Sequence, residues 1–271
     1  MRRTFVALAL ASLVYGGCSS FGEDSSSPAD GGVSVPPEGG IEAEASVDGD
    51  AAILRFCPVA GAVFCSDFEA GSLTQEWLPT ATPTRFLTLE QLPGAHDHVL
   101  RAQLGAESGM PGGKPAVAET LSKRFPRSVS VRYALDLRVD QQSAGQSIEI
   151  ASLKTTNAVS TTAFHIGIVG NDFFFGEYAS GAEAGATKYK ESPIGTIDAK
   201  WHRFEVDVFY TGIIEVEVRV DTATVISRRQ TTVRPIAEPT PEVDLTVGVS
   251  GVRNVTGTVG YAIDNVTFST L

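Results

Sequence analysis

The chain has 271 residues, 42% of them hydrophobic and 20% charged, and a formal net charge of -11. That length admits one large or two small domains, and the apolar fraction is enough to bury a core. The acidity excludes a nucleic-acid partner, because phosphate recognition needs a stripe of clustered Lys and Arg. Eight acids and no base fall between 19 and 52, so most of the charge belongs to one segment and says little about any binding site.

Residues 1–17 are laid out as an export signal: Arg2 and Arg3, an almost wholly apolar run from Phe5 to Val14, then Gly16 and Gly17. The run is too short to cross a hydrocarbon layer of about 30 Å as a helix. Cys18 follows, and Gly16-Gly17-Cys18 resembles the processing site of bacterial lipoproteins, whose cysteine is lipidated. That resemblance implies an outer-membrane lipoprotein, periplasmic or surface-facing, that touches the membrane through its anchor only. An ordinary secretory signal with an incidental cysteine is the alternative.

Residues 18–52 are rich in Ser, Pro, Gly and acid. They offer too little apolar surface to offset the entropy of ordering, so the segment reads as a disordered acidic tether. The folded domain is expected over 53–271. At its start Cys57 and Cys65 flank a short stretch containing Pro58 and Gly61. In an exported protein two remaining cysteines so placed are read as a disulfide.

From there the pattern has period 2. Val129, Val131, Tyr133, Leu135, Leu137 and Val139 alternate with Ser130, Arg132, Asp136 and Arg138, which describes a long half-buried strand. Similar runs lie at 147–153, 163–169, 172–178, 202–210, 213–220, 243–249 and 260–268. Turn signals at Gly145, Gly170-Asn171, Ser192-Pro193, Gly212 and Gly251 separate them. No stretch after the signal carries a 3.6-residue period. The expectation is an all-β, two-sheet antiparallel sandwich.

The order of motifs is similar to one family. Cys65-Ser66-Asp67-Phe68-Glu69 with Trp77 comes first, then Val99–Leu104 and Val117–Phe125. Lys200-Trp201-His202 opens a strand to Val208, a hairpin turns at Asp221-Thr222, and Tyr261-Ala262-Ile263-Asp264-Asn265-Val266 closes the series. This resembles the concanavalin A-like lectin/glucanase jelly roll, especially its laminin-G-like and polysaccharide-lyase-like members. The resemblance covers 57–271. It implies that the first and last strands pair, and that Asp67, Glu69 and Asp264 meet around a structural calcium. Such a cation needs several oxygen ligands at about 2.3–2.6 Å. Carboxylates that bond only the backbone of their own turns are the alternative.

Three chemistries follow from that resemblance. Glycoside hydrolysis would use same-face acids, and Glu205-Val206-Asp207-Val208-Phe209 has Phe209 where the third acid is needed. Polysaccharide β-elimination needs a His or Tyr base and a cation beside the uronate; His165, Tyr178 and Arg132 are its candidates. Glycan or extracellular-protein binding without catalysis would use Arg132, Glu149, His165 and Tyr178, placed on one exposed sheet. The leading expectation is a monomeric, lipid-anchored binding module, with the lyase second and a purely structural envelope protein third.

Overall fold

In the computed structural model the described residues are 57, 61–80, 84–92, 98–105, 118–143, 145–157, 160–181, 188–233 and 242–271. The residues read as an export signal, Cys18 and the acidic segment lie outside them. In chain order the elements are β1 (Ala62–Ser66), the one-turn α1 (Leu73–Glu76), β2 (Leu78–Pro79), β3 (Leu87–Gln91), β4 (His98–Leu104) and β5 (Glu119–Pro126). Then come β6 (Ser130–Gln141), β7 (Ser147–Thr156), β8 (Ser160–Val169), β9 (Asp172–Gly181) and β10 (Lys188–Thr196). The last are β11 (His202–Tyr210), β12 (Ile214–Val220), β13 (Ala223–Gln230), β14 (Glu242–Arg253) and β15 (Val259–Thr270).

These strands form two antiparallel sheets. Sheet I runs β13-β12-β11-β6-β15-β4-β3, with β1 also on β15; sheet II runs β10-β9-β8-β7-β14-β5-β2. Alternation decides which side chains meet between them. Val131, Tyr133, Leu135 and Leu137 of β6 are fully buried, as are Ile148, Leu153, Phe164 and Ile166 of β7 and β8. Phe125 of sheet II stacks on Phe268 of sheet I with ring centroids 4.2 Å apart. Two buried phenols span the core: Tyr133 donates to the Phe164 carbonyl at 3.1 Å and Tyr261 to the Gly248 carbonyl at 2.8 Å. Each such bond contributes about 1 kcal/mol net and fixes how one sheet lies over the other.

The first and last strands pair as expected, in the register Ala62↔Ser269 to Ser66↔Val266. The pairing strand is 62–66, and Phe68, just past it, turns into the left-handed region at φ 57°. Cys57 and Cys65 form the disulfide, with Cα atoms 5.6 Å apart. Trp77 is buried between Phe64 and Phe68, and its indole N–H donates to Ser66 Oγ at 3.0 Å. The opening stretch is therefore a plug at the sandwich edge.

Two expected turns, Ser192-Pro193 and Gly251, fall inside strands, whereas the hairpin turn at Asp221-Thr222 forms as read. Ser192-Pro193 is no turn but lies inside β10, at a register shift between Pro193 and Gly195. An edge strand tolerates Pro at such a bulge, since no second neighbour asks for its N–H. Asp221 and Thr222 form the β12–β13 turn with φ of 50° and 73°. A two-residue hairpin needs that left-handed pair, which usually ends in Gly. Asp221 is held by three bonds: Arg203 N–H to Oδ1 at 2.8 Å, its own N–H to the Arg203 carbonyl at 2.9 Å, and Oδ2 to His202 Nδ1 at 2.6 Å. Thr222, β-branched, has no such compensation. Thr222→Gly is expected to stabilise the protein by about 1 kcal/mol. An unchanged or lower midpoint in chemical denaturation would contradict this.

Candidate functional site

The outward side of sheet II carries an open cleft of about 360 Å³. In β7, Ile148, Ala151 and Leu153 point into the core, while Glu149, Ser152 and Lys154 point out, a register shift between Glu149 and Ala151 keeping both sets in phase. His165 stands outward from β8, Tyr178 from β9, Tyr189 from β10 and Arg253 from the end of β14. Backbone pairing sets Ser152 and Gly176 on either side of His165, and Gly251 opposite Glu149. The two glycines leave room above the sheet. A Cβ at 251 would stand 3.2 Å from the Glu149 carboxyl carbon, and one at 176 would stand 2.9 Å from Tyr189 Oη.

His165 is the centre of this arrangement. Its ring centroid lies 6.3 Å from those of Tyr178 and Tyr189, both edge-on. Its Nδ1 is buried and 3.4 Å from Glu149 Oε2, near enough for attraction but without hydrogen-bond alignment. Burial pushes the imidazole below its ordinary range, and the Glu149 charge only partly opposes this. The ring is thus neutral near pH 7. With Nδ1 turned to Glu149, Nε2 is the nitrogen left to meet a ligand. Burial, reinforced by Glu149 and Glu191, pushes the Tyr189 phenol well above its ordinary range, so it stays protonated. Lys154 and Arg253 are exposed and form no ion pair with a described residue.

Of the residues picked from the sequence, Glu149, His165 and Tyr178 meet in the cleft. Arg132 does not. It projects from β6 on sheet I, where its guanidinium donates to both carboxylate oxygens of Asp207 at 2.6 and 2.9 Å. Asp207 also accepts from Arg219 at 2.8 Å, and Glu205 accepts from the same Arg219 at 2.9 Å. The acid pair considered for hydrolysis is therefore neutralised within a charge ladder on the other sheet. Asp67, Glu69 and Asp264 each serve nearby backbone. Asp67 accepts the Glu69 N–H at 3.3 Å, Glu69 accepts the His98 N–H, and Asp264 accepts the Asn265 N–H at 2.7 Å. Among the described residues no three His, Cys, Asp or Glu side chains gather as a group that could hold a metal ion.

Sequence reading missed Lys154, Tyr189 and Arg253. Lys154 continues the outward row of β7 one step beyond the expected strand. Tyr189 was hidden because Pro193 read as a turn, which removed β10 from the sheet. Arg253 lies past Gly251, where β14 was expected to have ended.

No protein-family model and no curated protein matches the chain in sequence. Solved structures do match in shape. An endo-β-1,4-glucuronan lyase from the fungus Trichoderma reesei superposes with a TM-score of 0.56 at 14% identity, over 78% of this chain and 96% of the lyase. An alginate lyase from Chlorella virus gives 0.53 at 11%, over 78% and 100%. A cellulose-induced protein, Cip1, gives 0.52 at 12%, over 77% and 97%. The fold is a concanavalin A-like jelly roll. At such identities the likeness speaks for the jelly roll alone, and any chemistry must be argued from the cleft.

A second histidine has the opposite environment. His202, at the start of β11, is bonded by Nδ1 to Asp221 at 2.6 Å and by Nε2 to Asp198 at 2.7 Å. Burial works against its charge, but the bonds to Asp221 and Asp198 outweigh it and raise its pKa. The bond from His202 in turn lowers Asp198 to about 2. His202 thus adds stability below about pH 6.5, lost as pH rises through its higher folded value. His165 does the reverse: its contribution is present above about pH 6.5 and lost as pH falls through its lower folded value. Imidazole resonances followed by NMR, assigned with His165→Gln and His202→Gln, should show His202 titrating above that range and His165 below it. Coincident titration would refute both environments.

Proposed function

We propose that the protein binds an acidic polysaccharide in the cleft of sheet II and cleaves it by β-elimination. The observation that carries this reading is the pairing, in one cleft, of a neutral buried imidazole with a protonated phenol, flanked by the cations Lys154 and Arg253, which form no ion pair with a described residue. Elimination needs both protonation states at once. A base removes the proton on C5 of a uronate ring, the C–H electrons form the C4–C5 double bond, and the C4–O bond breaks. An acid then protonates the departing glycosidic oxygen. His165 Nε2 has the state for the first role and Tyr189 Oη for the second.

Lys154 and Arg253 supply the charge that a uronate carboxylate needs as its α-proton becomes acidic. Glu149 orients the imidazole, and its long contact to Nδ1 is expected to shorten in the substrate complex, as catalytic hydrogen bonds do. Tyr178 offers a sugar ring an edge of the cleft. The export signal and Cys18 support placing this activity at the cell envelope on a lipid anchor. The glycan-directed names of the similar lyases are in keeping with the same ligand class.

The test is incubation with a panel of polyuronates, followed by the near-ultraviolet absorbance of the unsaturated product. His165→Ala and Tyr189→Phe should each lower the rate by about a hundredfold or more while binding persists. The rate should also fall as pH drops through the depressed His165 pKa. Saturable retention of a polyuronate with no new absorbance would replace the lyase with a binding module. Absence of both would remove the cleft from consideration.

A further inference from the structure

Gly176 occupies the middle of β9, directly opposite His165 on one side and Glu191 on the other. Glycine weakens a strand interior, so its presence there asks for a reason. Backbone conformation is not one, because Gly176 is absent from the residues of positive φ. Neither is close backbone packing. At the neighbouring Gly167 a Cβ would come within 2.2 Å of the Ile148 carbonyl oxygen, which makes that glycine a requirement of the fold. At Gly176 the nearest atoms are the far ends of two side chains: Tyr189 Oη at 2.9 Å and Phe174 Cε2 at 3.0 Å, with Tyr189 Cε2 at 3.3 Å.

Tyr189 is paired across the backbone with Tyr178, not with Gly176. Its ring therefore leans diagonally over β9, through the space that a side chain at 176 would fill, to face His165 on β8. Among the described strands β10 is the edge of sheet II, paired with β9 alone, so a push on the phenol meets little resistance.

We propose that Gly176 is a positioning residue: the absent side chain at 176 is what lets the Tyr189 phenol cross β9 and lie against His165. Phe174, whose ring closes over the same glycine, forms the floor of that passage. The cleft thus depends on a residue that contributes no atom to the chemistry. The kinetic part of this proposal rests on the lyase reading above; the structural part does not.

Three measurements on the full protein test it. The first is a double-mutant cycle in thermal stability. Gly176→Ala should lower the melting temperature in the wild type and lower it less in Tyr189→Phe, which lacks the atom nearest the new methyl. If Gly176→Ala does not fold alone, the double variant should; an equal loss in both backgrounds, or failure of both to fold, overturns the proposal. The second is alkaline ultraviolet difference titration against Tyr189→Phe. In the wild type the Tyr189 phenol should not ionise near pH 10, and in Gly176→Ala it should move toward that ordinary value as it is pushed out of its buried position. An unmoved titration counts against the proposal.

The third is kinetic, on whichever polyuronate the wild type cleaves. Gly176→Ala should lower kcat by about a hundredfold and leave KM within about twofold, as expected when an acid is misplaced by roughly 1 Å. Adding Gly176→Ala to Tyr189→Phe should cost little more. A full further loss would show that the glycine acts through something other than the phenol. If the wild type cleaves nothing, the lyase reading fails, and the stability and titration measurements still decide the role of Gly176.

Discussion

The C-terminal strand holds sheet I together. β15 lies between β6 and β4 and also takes β1 along part of its length, so the last twelve-residue strand pairs with the first strand, an early one and a central one. None of these contacts is local, and all must close before the sheet has an interior. Phe268 and Tyr261 on the same strand then reach across to Phe125 and the Gly248 carbonyl of sheet II. Once β15 is seated, the separation and rotation of the two sheets are constrained. The outward row of sheet II, where the cleft lies, inherits that rigidity.

The two sheets treat their outward charges differently, and function follows from the difference. On sheet I, Arg132, Glu205, Asp207, Arg219 and Glu217 neutralise one another along three adjacent strands. Such a ladder, with the buried Asp207 at its centre, leaves little charge to offer a ligand. On sheet II the row holds a neutral histidine, two tyrosines and two cations without ion-pair partners among the described residues. Glycines at 176 and 251 replace bulk that would otherwise cover it. One face of the sandwich is chemically closed and the other is open.

The strands that alternate cleanly were legible because period 2 reports burial directly. β11 has the bounds read from sequence, and β6 begins within two residues of them. The same alternation says only that a side chain points out; it does not say from which sheet. Arg132 and His165 are both outward, and nothing local distinguishes their sheets, since sheet membership is set by crossovers that sequence spacing does not encode. Glu149, His165 and Tyr178 come together because β7, β8 and β9 are successive hairpin neighbours, the one case in which order along the chain predicts adjacency. β10 was lost to Pro193, and Tyr189 went with it. The carboxylates Asp67, Glu69 and Asp264 were read by position in a family pattern; in the fold each accepts a backbone N–H, and Glu69 also faces the His98 imidazole.

A buried charge beside the cleft carries the same logic inward. Glu177 precedes Tyr178 on β9 and, by alternation, points the opposite way, into the space between the sheets, where it is fully buried. Arg229 of β13 donates to one of its oxygens at 2.6 Å and the Thr232 N–H to the other. Desolvating such a carboxylate is costly, and an apolar pair of similar volume would serve stability as well or better. What the ion pair adds is direction. A carboxylate with two fixed donors holds one orientation and one register, whereas an apolar contact tolerates sliding. It ties the edge of sheet I to β9 at the residue next to Tyr178 and one away from Gly176. β9 is thus pinned from inside at the point where its outer face must leave a gap for Tyr189. The geometry of the cleft rests on that inner contact as much as on the side chains that line it.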